Sequence, residues 1–198
     1  MPLNLGIVLF ERVEELDFAG PWEVLSYAAI SRPDALSVRT VSESGGTVTC
    51  NKGLRVLPDC GFADCPSLDV ILVPGGQGTR VERANPAMLE FVSRQAAGCR
   101  WVTSVCTGVM ILLAAGLAGG KRVTTHWAAV DELRGQGEVT VLEGPRFVRD
   151  GNLVTSAGVS AGIDMSLWLL GQLFDPDFAR EVQKGIEYFP APPYSAEV

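Results

Sequence analysis

The residue of this 198-residue chain best placed to do chemistry is Cys106. It follows a strand-like run, RWVTSV at 100–105, and is followed by Thr107, Gly108 and an apolar helical run to about residue 117. A strand passing abruptly into a helix displays its junction residue at the top of a sheet, in the geometry of a nucleophile elbow. Unsatisfied amides and the positive end of the helix are expected there, and both favour a thiolate. A buried structural cysteine is the competing reading. Cys50, Cys60, Cys65 and Cys99 lack this setting and read as structural.

Two other strand ends carry suggestive residues. After the apolar run 3–10 come Glu14, Glu15 and Asp17, then Gly20 and Pro21. A carboxyl beside a thiolate in a partly dry pocket should resist ionisation and keep a proton to donate to a reacting carbon. Asp17 leads, with helix capping as its alternative role; Glu14, Glu15 and Glu23 compete. After DVILV at 69–73 come Pro74, Gly75, Gly76, Gln77 and Gly78, a poor dinucleotide fingerprint because the G-x-G-x-x-G spacing is missing. Glycine amides at Gly75 and Gly76 could instead approach a small ligand and stabilise developing negative charge. His126 is the one histidine, either a base for Cys106 or a hydrogen-bonded structural residue.

Composition narrows the field. One histidine rules out a multi-histidine zinc site, and Cys60 and Cys65 have the wrong spacing for a paired knuckle, so no metal and no cofactor are expected. A net charge of -7 without a basic cluster argues against nucleic acid. No stretch reaches 18 uninterrupted apolar residues and no leader pattern opens the chain, so neither membrane insertion nor export is expected. An odd cysteine count of five fits reduced thiols in a cytoplasmic protein.

These residues need elements to position them. Strands are predicted at 3–10, 36–42, 69–73, 100–105 and 121–125, with further pieces at 139–142, 146–149 and 152–155 and a small hairpin over 46–58. Helices are predicted from about Pro21, with that proline in the first turn, and over 86–98, 108–117, 127–134, 160–174 and 177–187. The prolines of PAPPY at 190–194 exclude regular helix there. Strands alternating with helices predict an α/β fold, an open and mostly parallel sheet covered on both faces. Such sheets bind ligands outside the carboxyl ends of their strands, where all three junctions fall. No linker or internal repeat divides the chain.

The segments DFAGPWEVL at 17–25, DVILVPGG at 69–76, VTSVCTGVMILLAAGLAGGKRVTTHW at 102–127 and VTSAGVSAGIDMSLWLL at 154–170 resemble the ThiJ/PfpI superfamily over almost the whole chain. Within it the isocyanide (isonitrile) hydratase branch is the most similar, helped by EYFPAPPY at 187–194. The resemblance implies a flavodoxin-like three-layer sandwich, a single class I glutamine amidotransferase-like domain over 1–198, and a homodimer. It implies hydration of isocyanides to N-substituted formamides through a thioimidate on Cys106, with Asp17 moving protons and Thr107 as a polar pocket residue. Gly75, Gly76 and Gly20 would line the pocket or supply amides.

Departures from the pattern discriminate within the superfamily. PfpI-type peptidases carry histidine where Thr107 stands, and glyoxal-acting and redox-sensing members carry glutamate where Asp17 stands. Glyoxalase or deglycase chemistry on small carbonyls is therefore the weaker alternative. A noncatalytic sensor is another, since AraC-like regulators share similar VCTG and TTHW segments; the chain ends at Val198, and a DNA-binding module is not expected.

Overall fold

A computed structural model describes residues 2–190. At its centre is β1 (Leu3–Val8), whose apolar run suits a parallel strand buried on both faces. It pairs in parallel with β2 (Leu36–Ser42) on one side and β6 (Val70–Val73) on the other. Beyond β6 lie β7 (Trp101–Val105) and β11 (Leu153–Ser156), again parallel, and then β10 (Phe147–Asp150) as an antiparallel edge. The short β5 (Cys60–Gly61) closes the opposite edge, giving the order β10-β11-β7-β6-β1-β2-β5. The chain leaves β1 to build one half of the sheet and then returns to build the other. Its switch point is thus between β1 and β6, where open α/β sheets leave a crevice.

Helices cover both faces. On one, α1 (Glu15–Ser31) packs on α6 (Ala161–Leu173) and α7 (Pro176–Gly185). On the other lie α2 (Thr79–Glu82), α3 (Pro86–Ala96) and α4 (Gly108–Ala114). This is the expected three-layer α/β sandwich. Two helix starts follow simple capping rules. Asn85 accepts a hydrogen bond from the Ala87 amide at 3.1 Å before Pro86, and Asp175 accepts one from Phe178 at 2.7 Å before Pro176. Leu5, Ile7, Ile71, Leu72, Ile111 and Leu169 are fully buried in the core between the layers.

Several boundaries differ from the predicted ones, for local reasons. α1 starts at Glu15, six residues before Pro21, which is inside the helix. Proline there cannot donate to the carbonyl four residues back, that of Asp17. Packing compensates, because Pro21 is buried and a Cβ on Gly162 of α6 would meet its ring at 3.1 Å. The expected hairpin exists as β3 (Val48–Thr49) and β4 (Arg55–Val56), off the main sheet. It hangs from the loop after β1 through Arg12 N–H to Thr49 O and Asn51 N–H to Val13 O, both 2.8 Å. The pieces at 121–125 and 139–142 form a separate parallel pair, β8 (Arg122–Val123) and β9 (Thr140–Val141). The helix predicted at 127–134 is a 3₁₀ turn, Trp127–Ala129, leading into α5 (Val130–Arg134). Of the PAPPY tail, residues 191–194 lie outside the described residues. Among the described residues no helix is long and apolar enough to cross a membrane.

Candidate active site

Cys106 occupies the predicted elbow. Its φ is +57°, a left-handed conformation that non-glycine residues adopt at a cost of roughly 1–3 kcal/mol. The surroundings hold it there. Its amide donates to the Ser156 and Ala157 carbonyls at 3.1 and 3.2 Å, and its carbonyl accepts the Thr125 hydroxyl at 2.8 Å. Two residues on, Gly108 lets α4 begin hard against β6, since a Cβ there would collide with the Val73 carbonyl. The sharp turn leaves the thiol at the floor of a cavity of about 430 Å³, also lined by Glu14, Gln77, Arg80, His126 and Val159.

Asp17 is the carboxyl that meets it. It is fully buried in the first turn of α1, so its role is not capping; the N-cap is Glu14, which makes no side-chain cap bond. Oδ2 accepts the Gly75 amide at 2.9 Å, while Oδ1 has no partner of its own. Burial raises the Asp17 pKa to about 7, helped by the charge of Glu14 and opposed by the Gly75 amide and the Cys106 thiol. Glu14 and Glu15 pair instead with Lys52, carried on the hairpin, and Glu23 is exposed. The competition among acidic residues is thus resolved by depth.

The thiolate expected from the helix end does not prevail at rest. Burial and the neighbouring Asp17 charge push the Cys106 thiol up to about 12, against the amides of Thr107 and Val159, which favour the ionised form. α4 has only seven residues, and desolvation of a buried charge outweighs its dipole. The pair therefore loses its first proton near 7, and above that Sγ and the Asp17 carboxyl hold one proton between them.

The glycines do different work from that expected. The Gly75 amide is engaged by Asp17, and the Gly76 amide donates to Thr107 Oγ1 at 3.1 Å, so neither is free to face a ligand anion. A Cβ on Gly75 would meet the Thr107 amide at 2.6 Å and Asp17 Oδ2 at 2.8 Å; its absence allows the close approach of the two. Gly76 lines the cavity at φ +128°. Gly20 does not line it. It sits within α1 where a Cβ would meet Ile163 of α6 at 2.8 Å, and is a helix-packing residue. Thr107 is buried, with Oγ1 also 3.2 Å from the Thr79 hydroxyl, and so locks the elbow to the Gly76 turn.

His126 lines the cavity, but its Nδ1 accepts the Ala128 amide at 3.2 Å at the start of the 3₁₀ turn. With Nδ1 accepting, the neutral ring carries its proton on Nε2, and among the described residues no hydrogen bond joins it to Cys106. The four remaining cysteines do not line this cavity. Among the described residues no three His, Cys, Asp or Glu side chains form a metal-ligand group. Sequence reasoning missed Val159. At φ +52° a β-branched residue is a genuine outlier, and its amide serves the Cys106 sulfur. Nothing in its local sequence, a valine between Gly158 and Ser160, signals that conformation.

Known proteins resemble the chain over nearly its whole length. The isonitrile hydratase of Pseudomonas putida is 46% identical over 196 residues, covering 99% of this chain and 83% of that protein. A crystal structure of a ThiJ/PfpI family protein from Pseudomonas syringae superposes with a TM-score of 0.88 at 33% identity, covering 100% of this chain and 80% of the other. The transcriptional regulator GbdR of Pseudomonas aeruginosa is 30% identical over 188 residues, 93% of this chain; the chain spans about half (49%) of that regulator. The model of the DJ-1/PfpI family matches residues 5–172, which contain Asp17, the Gly75 turn and the Cys106 elbow. The chain belongs to the DJ-1/PfpI family.

Proposed function

We propose that the protein is an enzyme that hydrates isocyanides to N-substituted formamides. The observation that carries this reading is the buried Cys106–Asp17 pair, which joins a nucleophile lining a small cavity to a fully buried carboxyl with one transferable proton. The 46% identity to an isonitrile hydratase supports it. Asp17 and Cys106 are the catalytic residues. Thr107, Gly75 and Gly76 position them, and His126 is part of the wall.

The chemistry needs only this pair and water. With the shared proton on Asp17, Cys106 Sγ attacks the terminal carbon of R–N≡C, and Asp17 delivers its proton to that carbon. The product is a thioimidate, Cys106–S–CH=N–R, beside an ionised Asp17. Water then adds its oxygen to the same carbon, and one of its protons passes by way of Asp17 to the nitrogen. The resulting Cys106–S–CH(OH)–NH–R collapses: the hydroxyl proton goes to Asp17, the C–S bond breaks, and R–NH–CHO leaves. An isocyanide offers no leaving group, so an intrinsically strong carbon-seeking nucleophile and a positioned acid suit it.

Turnover of an alkyl isocyanide, an aryl isocyanide and methylglyoxal tests the reading. Formamide formation should vanish in Cys106→Ala and fall by roughly 10²–10⁴ in Asp17→Asn, the usual weight of a general acid. Full activity in both variants would overturn the mechanism, and turnover of methylglyoxal alone would favour carbonyl chemistry. Sensing without turnover is the second reading, favoured by the similarity to a transcriptional regulator; specific isocyanide binding with no product would support it.

We propose one domain acting as a homodimer in the cytoplasm, without nucleic acid. Leu16 on α1 and Leu54 and Leu57 on the hairpin are exposed apolar residues available to a second copy. Five unpaired thiols suit a reducing compartment, and a net charge of -7 disfavours a polyanion.

A further inference from the structure

A second cavity, of about 410 Å³, shares a lining residue, His126, with the first. Only the first contains Cys106. The imidazole is fixed in place: Nδ1 accepts the Ala128 amide, and the ring lies so close to Gly158 that any Cβ there would collide with it. His126 is thus a wall common to both cavities, held by the Ala128 amide and packed against Gly158.

The second cavity has its own chemical character. Trp127 lines it with 82% of its surface exposed, beside the His126 ring at 5.5 Å between centroids, and Val130 and Pro145 add apolar surface. Its charged members are already engaged. Arg146 Nε donates to Asp164 at 2.6 Å, with Ser160 also in reach, and Glu143 accepts Arg134 at 2.6 Å. With both charges paired, the available recognition is that of an uncovered indole and its apolar neighbours, which favours a flat, neutral group.

We propose that this second cavity receives the N-substituent of the substrate, and that Trp127 makes the site selective for aryl over small linear alkyl groups. The inference rests on Cys106 taking the isocyanide carbon in the first cavity. The substituent then passes the edge of His126 and stacks on the indole. Trp127 touches the substituent and not the reacting carbon, so it governs substrate binding rather than the chemical step.

The experiment compares wild type, Trp127→Ala and Trp127→Phe on phenyl isocyanide and on a small linear alkyl isocyanide. Trp127→Ala should raise KM for the aryl substrate roughly three- to tenfold, the worth of one aromatic stack, with kcat nearly unchanged. The alkyl substrate should be unaffected, and Trp127→Phe should recover most of the aryl preference. Equal losses on both substrates, or none on either, would overturn the proposal. N-phenylformamide binding to Cys106→Ala, with and without Trp127→Ala, gives a readout independent of turnover. If wild type converts no isocyanide, the activity reading fails. A several-fold weaker binding of N-phenylformamide without Trp127 would still uphold the cavity's preference, and unchanged binding would refute it.

Discussion

Asp17 and Cys106 are costly residues to bury, and their ionisation gives the site a measurable signature. An unfolded aspartate titrates near 3.8, whereas Asp17 in the folded chain titrates near 7. Between these values the native state binds the additional proton, so its stability falls as pH rises through this window. Only well below pH 3.8 are both states protonated, and there the penalty disappears. Asp17→Asn should therefore stabilise the protein at pH 8 by roughly 2–4 kcal/mol, with most of that gain gone by about pH 4. Denaturant unfolding at both pH values measures it, and a gain that grows on acidification would contradict the assignment. Activity should run the other way. The pair with one shared proton forms as pH rises through about 7, so kcat/KM should climb through that value in wild type.

At the scale of elements, glycines decide how closely the pieces approach. Gly75 separates a turn, the elbow and α1, where added bulk meets backbone and a buried carboxylate. Gly75→Ala should reduce isocyanide turnover at least a hundredfold by displacing Asp17 from Cys106, and a lowered melting temperature should accompany it. Gly20→Ala is the contrasting case. Its Cβ would meet only the Ile163 side chain, which can rotate away, while alanine favours helix by up to about 1 kcal/mol. It should shift stability by no more than about 1–2 kcal/mol in either direction and leave kcat/KM within about twofold. Steady-state kinetics on the two variants separates the glycine that shapes the site from the one that packs a helix. The elements themselves were legible, because the runs at 3–8, 70–73 and 101–105 are short, rich in Val, Ile and Leu or β-branched residues, free of charge, and followed by Gly, Pro or acidic residues. The start of α1 was not, since Pro21 looks like a first-turn residue when the packing that holds it inside a helix is out of view.

For the whole molecule the testable quantity is assembly. Leu57 is 71% exposed and Leu54 51% on a hairpin whose base is tied to the loop after β1. The loop residues Asn51 and Lys52 reach Glu14 at the mouth of the cavity, through Asn51 Nδ2 at 3.1 Å and the Lys52 ammonium. A second copy seated on this hairpin would cover those leucines and steady the mouth. Sedimentation at micromolar concentration should show a species of twice the 21.1 kDa chain mass, and Leu57→Glu should shift it toward monomer. A stable 21.1 kDa species in the wild type would contradict the dimer.

The sequence by itself determined the α/β class, the strand-to-helix position of Cys106, and the small set of acidic residues from which its partner had to come. These follow from local periodicity and punctuation, which act over a few residues. Tertiary structure alone decided which carboxyl is deep enough to keep a proton near neutral pH, and that the Gly75 and Gly76 amides hold Asp17 and Thr107 rather than a ligand. It also supplied the Val159 amide for the sulfur and set Trp127 over a second cavity. Each of these depends on desolvation or on contacts between segments dozens of residues apart. Neither leaves a mark on local sequence pattern, because burial is a property of what the rest of the chain places around a residue.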